Sequence, residues 1–407
     1  MVLRVDSEVG QLRRVLLHRP GAELRRLTPA HRAELLFDDV VSVDRAVAEH
    51  DAFADVLRAH GVEVLYLGDL LAETLDNDVA RKWVIDHTVA DSDLGSMSAR
   101  RVRDHLATQD AAQLATTLVV GLLHGDLPGD GGLVWSSQGP TDALLTPLPN
   151  HLYTRDASCW IFDGVSLDRM AQPVRRRETV HLEAIYSFHP RFAGEHFHAW
   201  SGGIEDHEEQ RGGASLEGGD VAVLAPGVVL IGMGERTTAA AIEQLAERLF
   251  APGAAREIVV VELPRTRSYM HLDTVMTMVD RDAFLVYPEV VDAARCWSVT
   301  PGASTNELAV VARPSVLDAV AGALGLDALR VVTTGGDPFG AAREQWDDAD
   351  NVLALSPGVV VAYDRNVDTN ARLRDAGIEV IAVDGTELSR GRGGPRCLTC
   401  PIARDAA

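Results

Sequence analysis

The residues best suited to chemistry lie in a few short stretches, the densest being the tail Ser389-Arg390-Gly391-Arg392-Gly393-Gly394-Pro395-Arg396-Cys397-Leu398-Thr399-Cys400-Pro401. Glycines let a backbone approach a ligand closely. Basic neighbours of Cys397 are expected to favour its thiolate, the nucleophilic form of a cysteine. Three other readings compete at this point. A Cys-x-x-Cys pair can be a redox motif, but only seven residues follow Cys400, too few for the helix that motif needs. It can be half a zinc site, but Cys159 and Cys296 form no second pair. The tail can also be disordered.

Leu216-Glu217-Gly218-Gly219-Asp220 sets two glycines between two acids, either a tight turn that presents both carboxylates to one site or a hairpin with solvated acids. In Met270-His271-Leu272-Asp273-Thr274-Val275-Met276, polar and apolar residues interleave as in a strand. His271 and Asp273, two apart, would then share one face and supply a general acid/base beside an anion for a cation. An unpaired buried acid is costly, so an acid in such an apolar run calls for a partner. Pro149-Asn150-His151-Leu152-Tyr153-Thr154-Arg155-Asp156 offers Asp156 as a turn acid or a cation ligand. Arg175, and Arg236 in Gly234-Glu235-Arg236-Thr237, could grip a carboxylate through forked donors or lie on the surface.

These residues must be positioned by repeated α/β elements. A strand-like run beside Pro-Gly, a helical segment and a second strand-like run recur at 12–17, 40–60 and 62–67, at 228–231, 238–250 and 258–261, and at 359–362, 370–376 and 378–383. Units of roughly 40–60 residues repeated in this way predict a ring or array of similar blades. Segment 72–131 differs: Leu106, Leu114, Leu118 and Leu122 recur at helical spacing, predicting an inserted helical subdomain or a helical hairpin packed into the core.

Composition narrows the function classes. The 407 residues are 46% hydrophobic with a net charge of −22, which excludes a polyanion-binding surface and permits modest steering of a cationic substrate. No run approaches the ~20 apolar residues of a membrane span. Four cysteines do not make a disulfide framework, and the first residues lack the apolar core of a signal peptide, so the expected location is cytoplasmic.

Taken in order, Pro-Asn-x-x-Tyr-Thr-Arg-Asp, Glu-Gly-Gly-Asp, Gly-Glu-Arg-Thr, Met-His-Leu-Asp-Thr-Val and Gly-Gly-x-x-Cys-x-Thr-Cys-Pro resemble arginine deiminase, of the guanidino-group-modifying superfamily, nearly end to end, with Glu34-Leu35-Leu36-Phe37-Asp38-Asp39 near the start. The resemblance implies a single catalytic domain over 1–407, a five-bladed ββαβ-type α/β propeller of the pentein kind with the helical insertion. It implies hydrolysis of free L-arginine to L-citrulline and ammonia, with no metal or organic cofactor, in a self-associating protein. Cys397 then matches the nucleophile and His271 the general acid/base. Asp156 and Asp273 match the pair that grips the guanidinium, and Glu217 the acid that orients substrate and His271. Arg175, Arg236, Arg392, Asn150, Tyr153 and the backbone of Gly391 match the groups that hold the amino-acid end. Cys400 is not the expected nucleophile.

Tyr153 stands where Phe is common, and Arg396 where His is usual, a change expected to act on the Cys397 pKa. The rivals are an agmatine or methylarginine hydrolase, an amidinotransferase, or a non-catalytic relative. An agmatine enzyme would have no carboxylate for the arginines to hold, and a non-catalytic relative would be expected to lose Cys397 or His271.

Overall fold

The computed structural model describes residues 3–129, 132–202, 213–304 and 307–407. It is a mixed α/β molecule, and five of its sheets share one plan: an antiparallel pair whose second strand runs parallel to a third. The three copies expected from the sequence are all present. In the first, Leu12–Leu17 runs parallel to Glu63–Tyr66 after the helix Val43–Ala59. In the second, Val228–Met233 leads through the helix Ala239–Phe250 to Glu257–Glu262. That helix begins where the Thr238 hydroxyl accepts the Ala241 N–H, a cap worth about 1 kcal/mol. Val359–Tyr363, Val367–Asp375 and Glu379–Val383 form the third.

Two further units escaped the sequence reading. Ser158–Ile161 and Gly164–Leu167 are joined in parallel by His198–Ser201, and Met276–Met278 and Ala283–Val286 by Arg330–Thr333. Between the strands of the latter lies a hairpin, Cys296–Pro301 with Leu308–Arg313, that is added to the edge of a neighbouring sheet.

The tail is ordered and structural. Cys400–Arg404 lies between Arg4–Val5, which it pairs in parallel, and Leu12–Leu17, which it pairs antiparallel. This central position draws the residues before it, Cys397 included, into the interior; the disordered alternative does not hold.

Helices fill much of segment 72–131 and the residues just before it: Leu67–Thr74, Asp78–Thr88, Asp91–Leu94, Ser96–Thr108 and Ala111–Val120. Leu106, Leu114, Leu118 and Leu122 are buried as their spacing predicts, in one apolar cluster with Ile161, Leu182 and Ile231 of the sheet units. Residues 130 and 131, the end of the expected insertion, lie outside the described residues. Among the described residues, no helix is long and apolar enough to cross a membrane.

Candidate active site

The sharpest departure from expectation is local. Residues 270–276 do not form a strand; Leu272–Thr274 is a turn of 3-10 helix, and the strand starts only at Met276. The cause is Asp220, whose Oδ1 accepts the Leu272 N–H at 2.8 Å and bends the chain between His271 and Asp273. Both side chains nevertheless reach one buried site, because the turn, and not strand alternation, aims them. Glu217-Gly218-Gly219-Asp220 is thus a tight turn whose acids are both used: Glu217 binds His271, and Asp220 fixes the backbone behind it.

Cys397 is buried, with Sγ 3.5 Å from Asp273 Oδ2. His271 sits between two acids, Nε2 at 2.8 Å from Glu217 Oε2 and Nδ1 at 3.7 Å from Asp156 Oδ1. Glu217 also accepts the Ala171 N–H at 3.0 Å and faces Arg236 Nη1 at 3.3 Å. Asp156 Oδ2 accepts from Arg175 Nη1 at 2.7 Å, and Asp273 Oδ2 from Arg396 Nη1 at 2.7 Å. Asp156 Oδ1 and Asp273 Oδ1 are buried with no hydrogen-bond partner. Two buried carboxylate oxygens without a hydrogen bond are a costly arrangement, and a planar cation with N–H groups on both flanks would satisfy them.

Arg236 Nε and Arg392 Nε and Nη1 are buried and make no hydrogen bond, although Arg236 Nε lies 3.4 Å from Glu235 Oε1. Arg392 has a left-handed backbone, φ 67°, and stacks its guanidinium on Trp346, 3.7 Å from the ring centroid. Arg175 differs from its sequence expectation. Its donors reach Asp156, both Glu178 oxygens and the Asn150 and Tyr153 carbonyls. It braces Asp156 rather than offering an open fork. The Asn150 amide donates to the Leu35 carbonyl at 2.8 Å, within the Glu34–Asp39 motif, and the Tyr153 hydroxyl to the Leu388 carbonyl at 2.8 Å. Tyr153 packs so closely on Gly391 and Gly393 that an added Cβ would lie 2.4 Å from its hydroxyl at Gly391 and 2.4 Å from its ring at Gly393.

Cys400 takes no part: its Sγ donates to the Ser158 carbonyl at 3.3 Å, inside the sheet. All four cysteines are free thiols, so the redox reading of Cys397 and Cys400 finds no bond between them.

Electrostatics correct a second expectation. Burial pushes the Cys397 thiol well up, and Asp273, Asp156 and Asp348 push it further; Arg396 pulls it down but is outweighed. These effects favour a neutral Cys397 thiol at rest, not the thiolate its basic neighbours suggested. For His271, burial works downward, but Asp156, the Glu217 hydrogen bond and Asp220 lift the imidazole to about 9. Burial would raise Glu217, yet its bond to His271 and the nearby Arg236 hold it at about 2. At neutral pH the pair is therefore an imidazolium and a carboxylate.

Asp156, Glu217 and His271 offer ligand atoms within 4.8 Å of one another and could by distance hold a metal ion. An imidazolium with its Nε2–H on Glu217 and Nδ1 turned toward Asp156 has no lone pair to give. The electrostatics favour a proton there. An apolar groove of about 210 Å³, lined by Met233, Ile242, Trp297 and Val310 among others, touches none of these residues.

Three participants were not assigned roles from the sequence: Asn351, Arg396 as a partner of Asp273, and Gly219. A Cβ on Gly219 would stand 2.6 Å from His271 Nδ1 and 2.9 Å from Asp156 Oδ1. Gly219→Ala is therefore expected to cut kcat by about 10²-fold by displacing His271, while the protein stays folded. Steady-state assays beside a thermal melt check it.

The arginine deiminase family model matches residues 33–404. Among solved structures, the chain is similar to an amidinotransferase from Microseira wollei in the saxitoxin biosynthetic pathway. The two are 14% identical with a TM-score of 0.57, over 100% of this chain and 98% of that one. It is also similar to a dimethylarginine dimethylaminohydrolase from Pseudomonas aeruginosa, in a mutant complexed with citrulline. That pair is 14% identical with a TM-score of 0.52, over 96% and 99% of the two chains. At these identities the likeness is one of fold.

Proposed function

This chain belongs to the arginine deiminase family, and from that premise we propose that it hydrolyses free L-arginine to L-citrulline and ammonia. The observation that carries the reading is a set of buried polar atoms that make no hydrogen bond: one oxygen each of Asp156 and Asp273, and donors of Arg236 and Arg392. The other oxygen of Asp273 lies 3.5 Å from Cys397 Sγ. A guanidinium at one end and a carboxylate at the other satisfy both sets.

Binding the cation activates the nucleophile. Burial and nearby carboxylates suppress the Cys397 thiolate, and the guanidinium neutralises two of those carboxylates, so substrate binding eases loss of the thiol proton to solvent. The thiolate attacks the guanidinium carbon, held in place by charge-assisted hydrogen bonds to Asp156 and Asp273. His271, charged at neutral pH, gives its proton to a terminal nitrogen, which departs as ammonia and leaves an S-linked amidino intermediate. Neutral His271 then takes a proton from water and the hydroxide adds to the same carbon. Collapse breaks the C–S bond, and the added hydroxyl's proton passes to the departing thiolate, releasing citrulline and restoring the thiol and the imidazolium. The steps use side chains alone.

Arg236 and Arg392 take the substrate carboxylate, while Arg175 keeps Asp156 in place. Arg392→Gln is expected to lower kcat/KM for arginine by about 10²-fold, mostly through KM, because it removes a charge-assisted contact to a distant group. Arg236→Gln also removes the contact to Glu217 and should lower kcat as well. Agmatine, which lacks the carboxylate, should be a poor substrate for the parent and little affected by Arg392→Gln. The five similar sheets support a five-bladed propeller as a single catalytic domain over 1–407, with 72–131 as its helical insertion; we place it in the cytoplasm as a self-associating protein.

The test is incubation with L-arginine, agmatine and asymmetric dimethylarginine, scoring citrulline, ammonia and ornithine. Citrulline and ammonia from arginine support the reading. Turnover of either analogue without citrulline from arginine, or ornithine formed with an added amine, overturns it in favour of a hydrolase of that analogue or an amidinotransferase.

A further inference from the structure

Asn351 lies between the helix Pro338–Trp346 and the strand Leu353–Ser356, in a turn that no motif marks. Its side chain is fully buried against Cys397. Oδ1 accepts the Cys397 backbone N–H at 2.9 Å, and Nδ2 stands 3.1 Å from Cys397 Sγ and 3.4 Å from the Asp273 carbonyl. Its own carbonyl accepts the Arg396 N–H at 3.3 Å. The orientation of this carboxamide is fixed by chemistry: turning it over would aim its NH2 at the Cys397 N–H, donor against donor.

We propose that Asn351 is a catalytic residue of the reaction above, its carboxamide holding the nucleophile at two points and donating one N–H to the attacking sulfur. The inference rests on that reaction. The acceptor oxygen pins the Cys397 backbone, and the donor sets the direction of Cβ–Sγ. An N–H donated to sulfur stabilises a thiolate more than a thiol, because the bond to the anion is charge-assisted. It acts where the surrounding carboxylates act the other way. The same N–H group bonds to the Asp273 backbone, so the sulfur and one guanidinium-binding acid share a fixed mount.

The experiment is alkylation of the unliganded enzyme with iodoacetamide, with modification of the Cys397 peptide followed by mass spectrometry, for the parent, Asn351→Asp and Asn351→Ala. Asn351→Asp keeps the shape and the backbone acceptor but replaces the donor with an oxygen. Its alkylation rate at fixed pH is expected to fall at least about tenfold, as one pKa unit dictates, and its kcat by about 10²-fold with KM little changed, since Asn351 touches the sulfur and not the substrate. In the parent, a side-chain amide of 15N-labelled enzyme is expected to shift over the pH range in which Cys397 becomes reactive, and to stop doing so in Cys397→Ser. This last measurement needs no variant of Asn351. An Asn351→Asp protein with the parent's alkylation rate, or a parent in which no side-chain amide tracks Cys397, overturns the proposal. The alkylation rate and the amide shift do not use arginine turnover, so failure of the proposed reaction would be seen separately.

Discussion

Serine at position 397 is expected to lower kcat for arginine by at least about 10⁴-fold, whereas Cys400→Ser should retain activity within about tenfold. The difference follows from where the two sulfurs lie. Cys397 Sγ is buried 3.5 Å from Asp273 Oδ2, a carboxylate whose other oxygen makes no hydrogen bond. A hydroxyl there would have to ionise against the same burial and the same acids that already push the thiol up, and it begins from a far higher pKa. Cys400 Sγ is spent on the Ser158 carbonyl, in a strand paired on both sides, so its loss costs stability before it costs chemistry. Citrulline assays on both variants, with melting curves, check this. The reverse result would place the nucleophile at Cys400.

His271→Asn is expected to cost about 10²–10⁴-fold in kcat, the usual worth of a positioned proton donor. The pH dependence shows which state of the ring is used. Asp156 and Glu217 help to hold the imidazole at about 9, above its ordinary value, so the proton is present through neutrality and is lost as pH rises through about 9. An activity that needs the imidazolium in the first half of the reaction therefore persists at neutral pH and declines on the alkaline side. Glu217→Gln keeps the shape but removes a charge that raises the ring, so the alkaline limb must move toward lower pH. A limb that stays in place, or moves up, contradicts the assignment of His271 as the acid. The pH profile of kcat for parent and Glu217→Gln decides it.

Much of this site was legible because its parts come in short stretches. Glu217 and Asp220 are separated only by glycines, His271 and Asp273 by one residue, and Arg392 is five residues from Cys397. What such stretches do not encode is who satisfies whom. Arg175 looked like an open fork, but Glu178 stands one helical turn on and, with Asp156, takes its donors. Arg396 stood out only as a replacement for His; that it reaches Asp273 on one side and Glu8 on the other depends on Arg4–Val5 pairing with the final strand. Asn351 gave no signal, since an asparagine in an acidic turn reads as a turn residue. The neutral thiol was missed for a related reason: sequence counts the basic neighbours of Cys397, while three-dimensional proximity adds Asp156, Asp273 and Asp348.

The fold divides in the same way. Units with a long apolar strand, a helix and another apolar strand in close succession announced themselves. The unit ending in His198–Ser201 did not, because two of the four residues of that strand are exposed and its pattern is weak. The unit built on Met276–Met278 did not because a whole hairpin separates its second strand from its third. The helical segment was readable from leucine spacing alone, which left open whether it forms a subdomain or packs into the core; its leucines share one apolar cluster with the sheet units.

The measurement that bears most directly on the account is the intact-protein mass of enzyme quenched in acid during turnover of L-arginine, followed by digestion to find the modified residue. The account predicts a species heavier than the free enzyme by arginine less ammonia, with the added mass on the peptide that carries Cys397 and absent from Cys397→Ser. Full turnover with no such species at any quench time, or the added mass on Cys400, would contradict it.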